Sequence, residues 1–226
     1  MGKFRLKFKK FSEKLLNLLY PKGLTCNFCG KELDDEERDN SLCKDCRGKL
    51  HAPQFDTVIC EGVEISGCFL YDDVARYYVL SYKDSAKPFI AEYMAKFMYE
   101  KFLEKGIEAD KVCFVPSSEK KTALRGYDAM RCVAEEFCRL SRLPLSDVLF
   151  RKEGKDQTEV PSEERKDNVK DKFLSRGPVE GKILLLDDVA TTGATVGECV
   201  ETLCKHGAEK VVALTFAFAR GFGGNS

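Results

Sequence analysis

The sequence predicts an α/β protein, a parallel sheet flanked by helices, preceded by a small cysteine-rich module. Two observations carry this. From residue 58 onward, short apolar runs of strand type alternate with amphipathic stretches of helical period, the pattern of a parallel sheet covered on both faces. Before residue 54, four of the 11 cysteines form two Cys-x-x-Cys units, whereas the other seven stand singly in apolar or helical contexts. Composition agrees: with 226 residues, 43% of them hydrophobic and 33% charged, the chain has the material for a core and is not disordered, collagenous or a membrane bundle.

Taken in order, residues 1–23 form a basic amphipathic segment. Phe4, Phe8, Phe11, Leu15, Leu18 and Leu19 recur at helical spacing with Lys and Arg between them, and Pro21 ends the run. Residues 24–54 are the cysteine module. The remainder, 55–226, is the α/β domain. Val63, Ile65, Gly67, Phe69 and Tyr71 alternate after Gly62, predicting a hairpin, and Asp72 and Asp73 suit a helix N-cap. Apolar residues from Phe89 to Phe102 recur at three and four, predicting a helix that ends near Gly106. A strand follows at 111–115, a helix at 128–140 and a strand near 148–150. Between Arg151 and Lys172, 14 of 22 residues are charged, the composition of an exposed loop. The chain then predicts a strand at 183–186, a loop at 187–195, a helix to His206 with Gly207 beyond it, and a strand at 210–218.

In the cysteine module, Cys26-Asn-Phe-Cys29-Gly30 and Cys43-Lys-Asp-Cys46-Arg-Gly48 are separated by 13 residues. Tetrahedral zinc needs four soft donors converging at about 2.3 Å, and each unit bends so that both sulfurs face one point. Gly30 is expected to relieve crowding in that bend, and the polar stretch 34–40 suits a hairpin tip. Four thiolates close the coordination shell, so this zinc is expected to be structural. His51 is a possible substitute ligand, and four reduced thiols or a dithiol redox pair are the alternatives.

The most informative segment is Ile183-Leu-Leu-Leu-Asp187-Asp188-Val189-Ala190-Thr191-Thr192-Gly193-Ala194-Thr195. An apolar strand ends in two acids, and small and hydroxylic residues lead straight into a helix. The first N–H groups of that helix carry partial positive charge and point outward, Gly193 lets the backbone approach, and the threonines add hydroxyl donors, which makes an anion site. Two carboxylates beside a phosphate repel it unless they bind hydroxyls or a cation. A sugar phosphate is therefore expected, with Asp187 and Asp188 on its ribose hydroxyls. The Gly-Lys-Ser/Thr ending of a Walker loop is missing.

Residues 185–195 resemble the phosphoribosyl pyrophosphate motif of type I phosphoribosyltransferases. From the cysteine module to the last strand, the chain resembles the ComF family of competence-associated proteins, which joins a zinc ribbon to that fold. Arg125-Gly126-Tyr127-Asp128-Ala129 stands where the family has Arg-Gly-Phe-Asn-Gln, and 157–168, with Gln157, Arg165 and Asn168, matches a further segment. Val115-Pro116-Ser117-Ser118 replaces Pro-Val-Pro-Leu, and Ser81-Tyr82-Lys83 replaces Lys-aromatic-basic. The resemblance implies that the loop through Ser117, Ser118 and Lys120 holds pyrophosphate, that Lys120, Lys121 and Arg125 supply counter-charge, and that 151–172 forms a hood over the site, with Arg151, Arg165 and Asn168 its first candidates. It implies Asp187 and Asp188 as the catalytic acids, magnesium carrying the leaving-group charge, and no histidine.

Two functions follow as expectations. One is an accessory protein of DNA uptake that binds phosphoribosyl pyrophosphate or a related ribose 5-phosphate compound, with the zinc module docking another uptake protein. The other is a magnesium-dependent phosphoribosyltransferase acting on an amine or nucleobase. The 37 basic and 37 acidic residues cancel, so no global field draws nucleic acid to the chain. Weak single-strand binding is expected only from the basic and aromatic residues near Phe4, Phe8 and Phe11. An odd cysteine count, no export signal and no run of about 18 apolar residues predict a cytoplasmic protein without a membrane span.

Overall fold

A computed structural model describes residues 24–38, 41–60, 62–84, 89–152 and 172–222. The basic segment 1–23, with Phe4, Phe8 and Phe11, lies outside the described residues, as do Gln157, Arg165 and Asn168. The chain divides into two compact units, Met1–Lys49 and Leu50–Ser226.

In the first unit, a single antiparallel bridge between Thr25 and Glu32 closes the turn that carries Cys26 and Cys29. Helix α1 (Lys44–Arg47) carries the second pair. The acidic run between them works as a cap. Asp34 and Glu37 exchange reciprocal side-chain to backbone hydrogen bonds at 2.9 and 3.2 Å, and Glu37 Oε1 accepts the Lys44 N–H at 2.7 Å. Gly30 has φ 78°, but a Cβ there would meet nothing within 4 Å. Its role is therefore conformational, reaching the left-handed region, and not the relief of crowding expected from the sequence.

The second unit is built on β1 (Thr57–Cys60), β2 (Val63–Leu70), β3 (Lys111–Phe114), β6 (Lys182–Ala190) and β7 (Lys210–Phe218), in the order β1-β2-β7-β6-β3. The four strands from β2 to β3 are parallel, and β1 pairs antiparallel with β2 through a hairpin that turns at Gly62, φ 80°. Most of β2 is buried on both faces, because it lies inside the sheet with residues packed above and below. A short antiparallel pair, β4 (Leu149–Arg151) and β5 (Phe173–Ser175), brackets the charged segment, with Arg151 opposite Phe173. Arg151 stacks over the Phe173 ring at 5.7 Å.

Helix α3 (Ile90–Glu104) has the apolar spacing expected of it, α2 (Asp73–Asp84) starts at the expected acidic pair, and α5 (Ala129–Ser141) lies within a residue of its expected limits. On the α2 and α3 side, Tyr78, Phe97, Phe69 and Phe216 meet at ring separations of 5.1 to 6.4 Å. On the other side, α6 (Ala194–Lys205) lays Val196, Cys199, Val200 and Leu203 into a core shared with Ile65, Ile183, Leu185 and Phe173. Gly67 on β2 makes room for Phe218 on β7: a Cβ there would fall 2.7 Å from the phenyl ring. A helix not foreseen from the sequence, α4 (Glu119–Arg125), buries none of its residues, so no apolar period announces it. Among the described residues no helix is long and apolar enough to cross a membrane.

Candidate functional site

Four cysteines converge in the first unit. The sulfurs of Cys26, Cys29, Cys43 and Cys46 all lie within 4.8 Å of one another, and Cys29 Sγ is 3.7 Å from Cys43 Sγ. A tetrahedron with metal–sulfur bonds of about 2.3 Å has edges of about 3.8 Å, so the group could hold one zinc ion after closing by at most about 1 Å. Burial alone would raise the Cys26 thiol, but backbone hydrogen bonds from Cys29, Cys43 and Phe28 outweigh it and bring the thiol down to about 7. Burial raises Cys43 and Cys46. His51 does not belong to this group. Its Nδ1 lies 3.2 Å from Asp72 Oδ2, and that buried carboxylate, expected to cap α2, faces His51 and Arg220.

In the second unit, parallel pairing brings the carboxyl ends of β3, β6, β7 and β2 to one edge. Three hydrogen bonds hold that edge together: Val115 N–H to Leu186 O at 2.9 Å, Ala219 N–H to Ala190 O at 2.9 Å and Tyr71 N–H to Phe218 O at 2.7 Å. Ligands of open parallel sheets bind in the crevice outside such ends. Here β6 outruns the expected strand. Its ladder with β7 continues through Asp187 opposite Thr215 to Ala190 opposite Phe218, so the turn is only Thr191, Thr192 and Gly193. The acids read as loop residues, but backbone pairing to β7 overrides their low strand propensity.

Because successive strand residues point to opposite faces, Asp187 and Asp188 separate. Asp187 turns inward toward Cys199 and is 8% exposed, and its Oδ1 accepts the Asp188 N–H at 2.9 Å. Burial first, and the Asp188 carboxylate second, hold its carboxyl well above the ordinary range. Asp188 faces the other way. Lys83, from the last turn of α2, reaches its Oδ2 at 2.5 Å. Sequence reading noted Lys83 only as a departure. The two residues lie far apart in sequence, so no local signal could have joined them.

Gly193, φ 78°, is the N-cap of α6 and offers no side chain, while Thr191, Thr192, Ala194 and Thr195 are exposed around the helix start. Thr192 Oγ1 accepts the Ala194 N–H at 3.3 Å. Beneath the turn, Cys60 donates to Thr192 O at 3.4 Å, and a Cβ on Gly193 would lie 2.7 Å from Cys60 Sγ. Val189 and Ala190 belong to the strand and place the turn. The result is an exposed helix start carried on the end of a paired strand.

On the neighbouring β3, the expected loop is partly helix. Ser118 is the N-cap of α4, accepting the Lys121 N–H at 3.4 Å, with Lys120 exposed in the first turn and Arg125 half-buried in the last. Ser117 is tied to Asp128, the N-cap of α5.

No family model matches the chain, and no curated protein matches it. Solved structures do. The glutamine phosphoribosylpyrophosphate amidotransferase of B. subtilis aligns over 60% of this chain at 20% identity with a TM-score of 0.44. The chain spans only 30% of that protein's length. The orotate phosphoribosyltransferase of Aeropyrum pernix aligns over 79% of this chain and 80% of its own at 21% identity, TM-score 0.40. The adenine phosphoribosyltransferase of Leishmania tarentolae aligns over 60% of this chain and 73% of its own at 11% identity, TM-score 0.35. The class these neighbours share is the phosphoribosyltransferases.

Proposed function

We propose that the chain binds phosphoribosyl pyrophosphate or a related ribose 5-phosphate compound at the β6 to α6 turn, as an accessory protein of DNA uptake of the ComF type. The observation that carries the binding is the corner itself: Thr191, Thr192 and Gly193 at the start of a twelve-residue helix, with the Asp188 carboxylate beside them. The phosphate takes the helix N–H groups and threonine hydroxyls, and Asp188 accepts from ribose hydroxyls. Asp187 supports from behind, holding the Asp188 backbone. The uptake role rests on the sequence resemblance alone.

Asp188 is the carboxylate suited to magnesium, since Asp187 is buried with its carboxyl raised. Together with ligand phosphates it would hold the ion, which would neutralise part of the phosphate charge. Binding at Asp188 also requires Lys83 to give up the contact it now makes.

Calorimetry with ribose 5-phosphate and phosphoribosyl pyrophosphate in magnesium tests the reading. Asp188→Asn is expected to weaken binding by about 1–3 kcal/mol, the worth of a hydrogen bond to a charged group. No binding to the wild type, or equal binding to the variant, overturns it. Pyrophosphate release in the presence of amines and nucleobases separates a transferase from an accessory protein.

A further inference from the structure

β3 and β6 pair in parallel from Lys111 opposite Ile183 to Phe114 opposite Leu186. The segment 116–118 therefore leaves the same edge as the Thr191 turn, one strand spacing of about 4.8 Å away. A ribose ligand seated by one phosphate on the β6 turn has this segment within reach of a second anionic group. In this segment Ser117 offers two donors, and both are already engaged. The Ser117 N–H donates to Asp128 Oδ2 at 2.9 Å, and Ser117 Oγ lies 3.3 Å from Asp128 Oδ1. The same Oδ1 accepts the Arg131 N–H at 3.4 Å, which fixes the carboxylate at the start of α5. The Arg131 guanidinium is committed elsewhere, to Glu135 at 3.0 Å and Asp147 at 2.8 Å.

A carboxylate with one oxygen on a backbone N–H and the other on a hydroxyl is the arrangement a bound anion would make, except that this anion is part of the chain. We propose that Asp128 is a specificity-determining residue: it holds the Ser117 donors, excludes a pyrophosphate group from this edge, and so, of the two ligands proposed above, selects the ribose 5-phosphate compound over phosphoribosyl pyrophosphate. This rests on the reading of the β6 turn given above. A tethered carboxylate opposes a pyrophosphate twice. It competes for the same donors without loss of translational freedom, and it repels the incoming charge at close range from a half-buried position.

The test uses inorganic pyrophosphate and ribose 5-phosphate as separate probes on the full chain, by calorimetry at constant magnesium. The proteins are the wild type, Asp128→Asn and Asp128→Ser. Asn and Ser are both strong N-caps, so α5 keeps its start while the charge is lost. Pyrophosphate is expected to bind either variant at least about tenfold more tightly than the wild type, a difference of about 1.4 kcal/mol, with ribose 5-phosphate affinity little changed. Pyrophosphate binding that is equal or weaker in both variants overturns the role of Asp128, whatever ribose 5-phosphate does. Ribose 5-phosphate binding to none of the three overturns the reading of the β6 turn and the ribose part of this proposal, while the pyrophosphate comparison still decides Asp128.

Discussion

Between residues 24 and 49, the buried apolar groups among the described residues are Leu33, Leu42 and the cysteines Cys26, Cys43 and Cys46. From Leu50 onward, helices cover both faces of a five-stranded sheet whose middle strands are almost wholly buried. The first unit has too little apolar surface to offset the entropy of ordering its chain, which is the usual situation of very small domains. Its sulfurs converge at metal spacing, and a metal held there would supply what the core does not. The second unit needs no such help, and so it can carry polar and charged residues at its sheet edge.

The largest expected effect breaks this comparison at its weakest point. Removing zinc with a chelator takes away a binding energy of about 10–16 kcal/mol that is also folding energy. Residues 24–49 should lose amide protection while the sheet of the second unit keeps its own. Protection that survives chelation in the first unit would show that the cysteines are not its staple.

A smaller effect sharpens the contrast inside the second unit. Gly193→Ala forces a Cβ into the left-handed region, at a cost of about 1–2 kcal/mol, and drives it against Cys60 Sγ. Pairing it with Cys60→Ala is expected to return part of the loss, and the remainder measures the backbone strain. Denaturant midpoints of the two singles and the double give the coupling, and strict additivity would mean that the thiol yields without cost.

The smallest effect concerns Asp187. Its carboxyl sits well above the ordinary range in the folded chain, so the folded state binds more protons than the unfolded one. Its contribution to stability is then present at acid pH and is lost as pH rises from about 4, the unfolded value, through the raised folded one. Asp187→Asn keeps an acceptor for the Asp188 N–H and cannot ionise. Relative to the wild type it should gain stability as pH rises through that window, seen as diverging urea midpoints. Parallel curves would mean that Asp187 is ionised in the folded state.

What the sequence disclosed was local. The spacing of the four cysteines foretold their convergence, and the β7 limits, Lys210 to Phe218, match because an unbroken apolar run has no competing reading. The order of strand, turn and helix around Gly193 was legible too, but not its limits, since the strand runs on to Ala190 and the turn is only three residues. What stayed hidden depended on partners distant in the chain. Lys83 on Asp188, Cys60 under Gly193 and the inward turn of Asp187 all follow from sheet packing. Helix α4 went unseen because its residues face water, with Leu124 88% exposed, and only a core-facing stripe has a period to read.

The packing of Phe218 into the space above Gly67 also constrains how this chain can change over generations. Any side chain at position 67 collides with a ring that is itself wholly buried. A smaller residue at 218 opens a cavity but leaves the fold standing, whereas a larger residue at 67 cannot be accommodated while the ring remains. The two positions can therefore be exchanged in one order only, with 218 shrinking before 67 grows. A lineage that has filled position 67 will also have lost the aromatic ring at the end of β7, beside the edge where the ligand is proposed to bind.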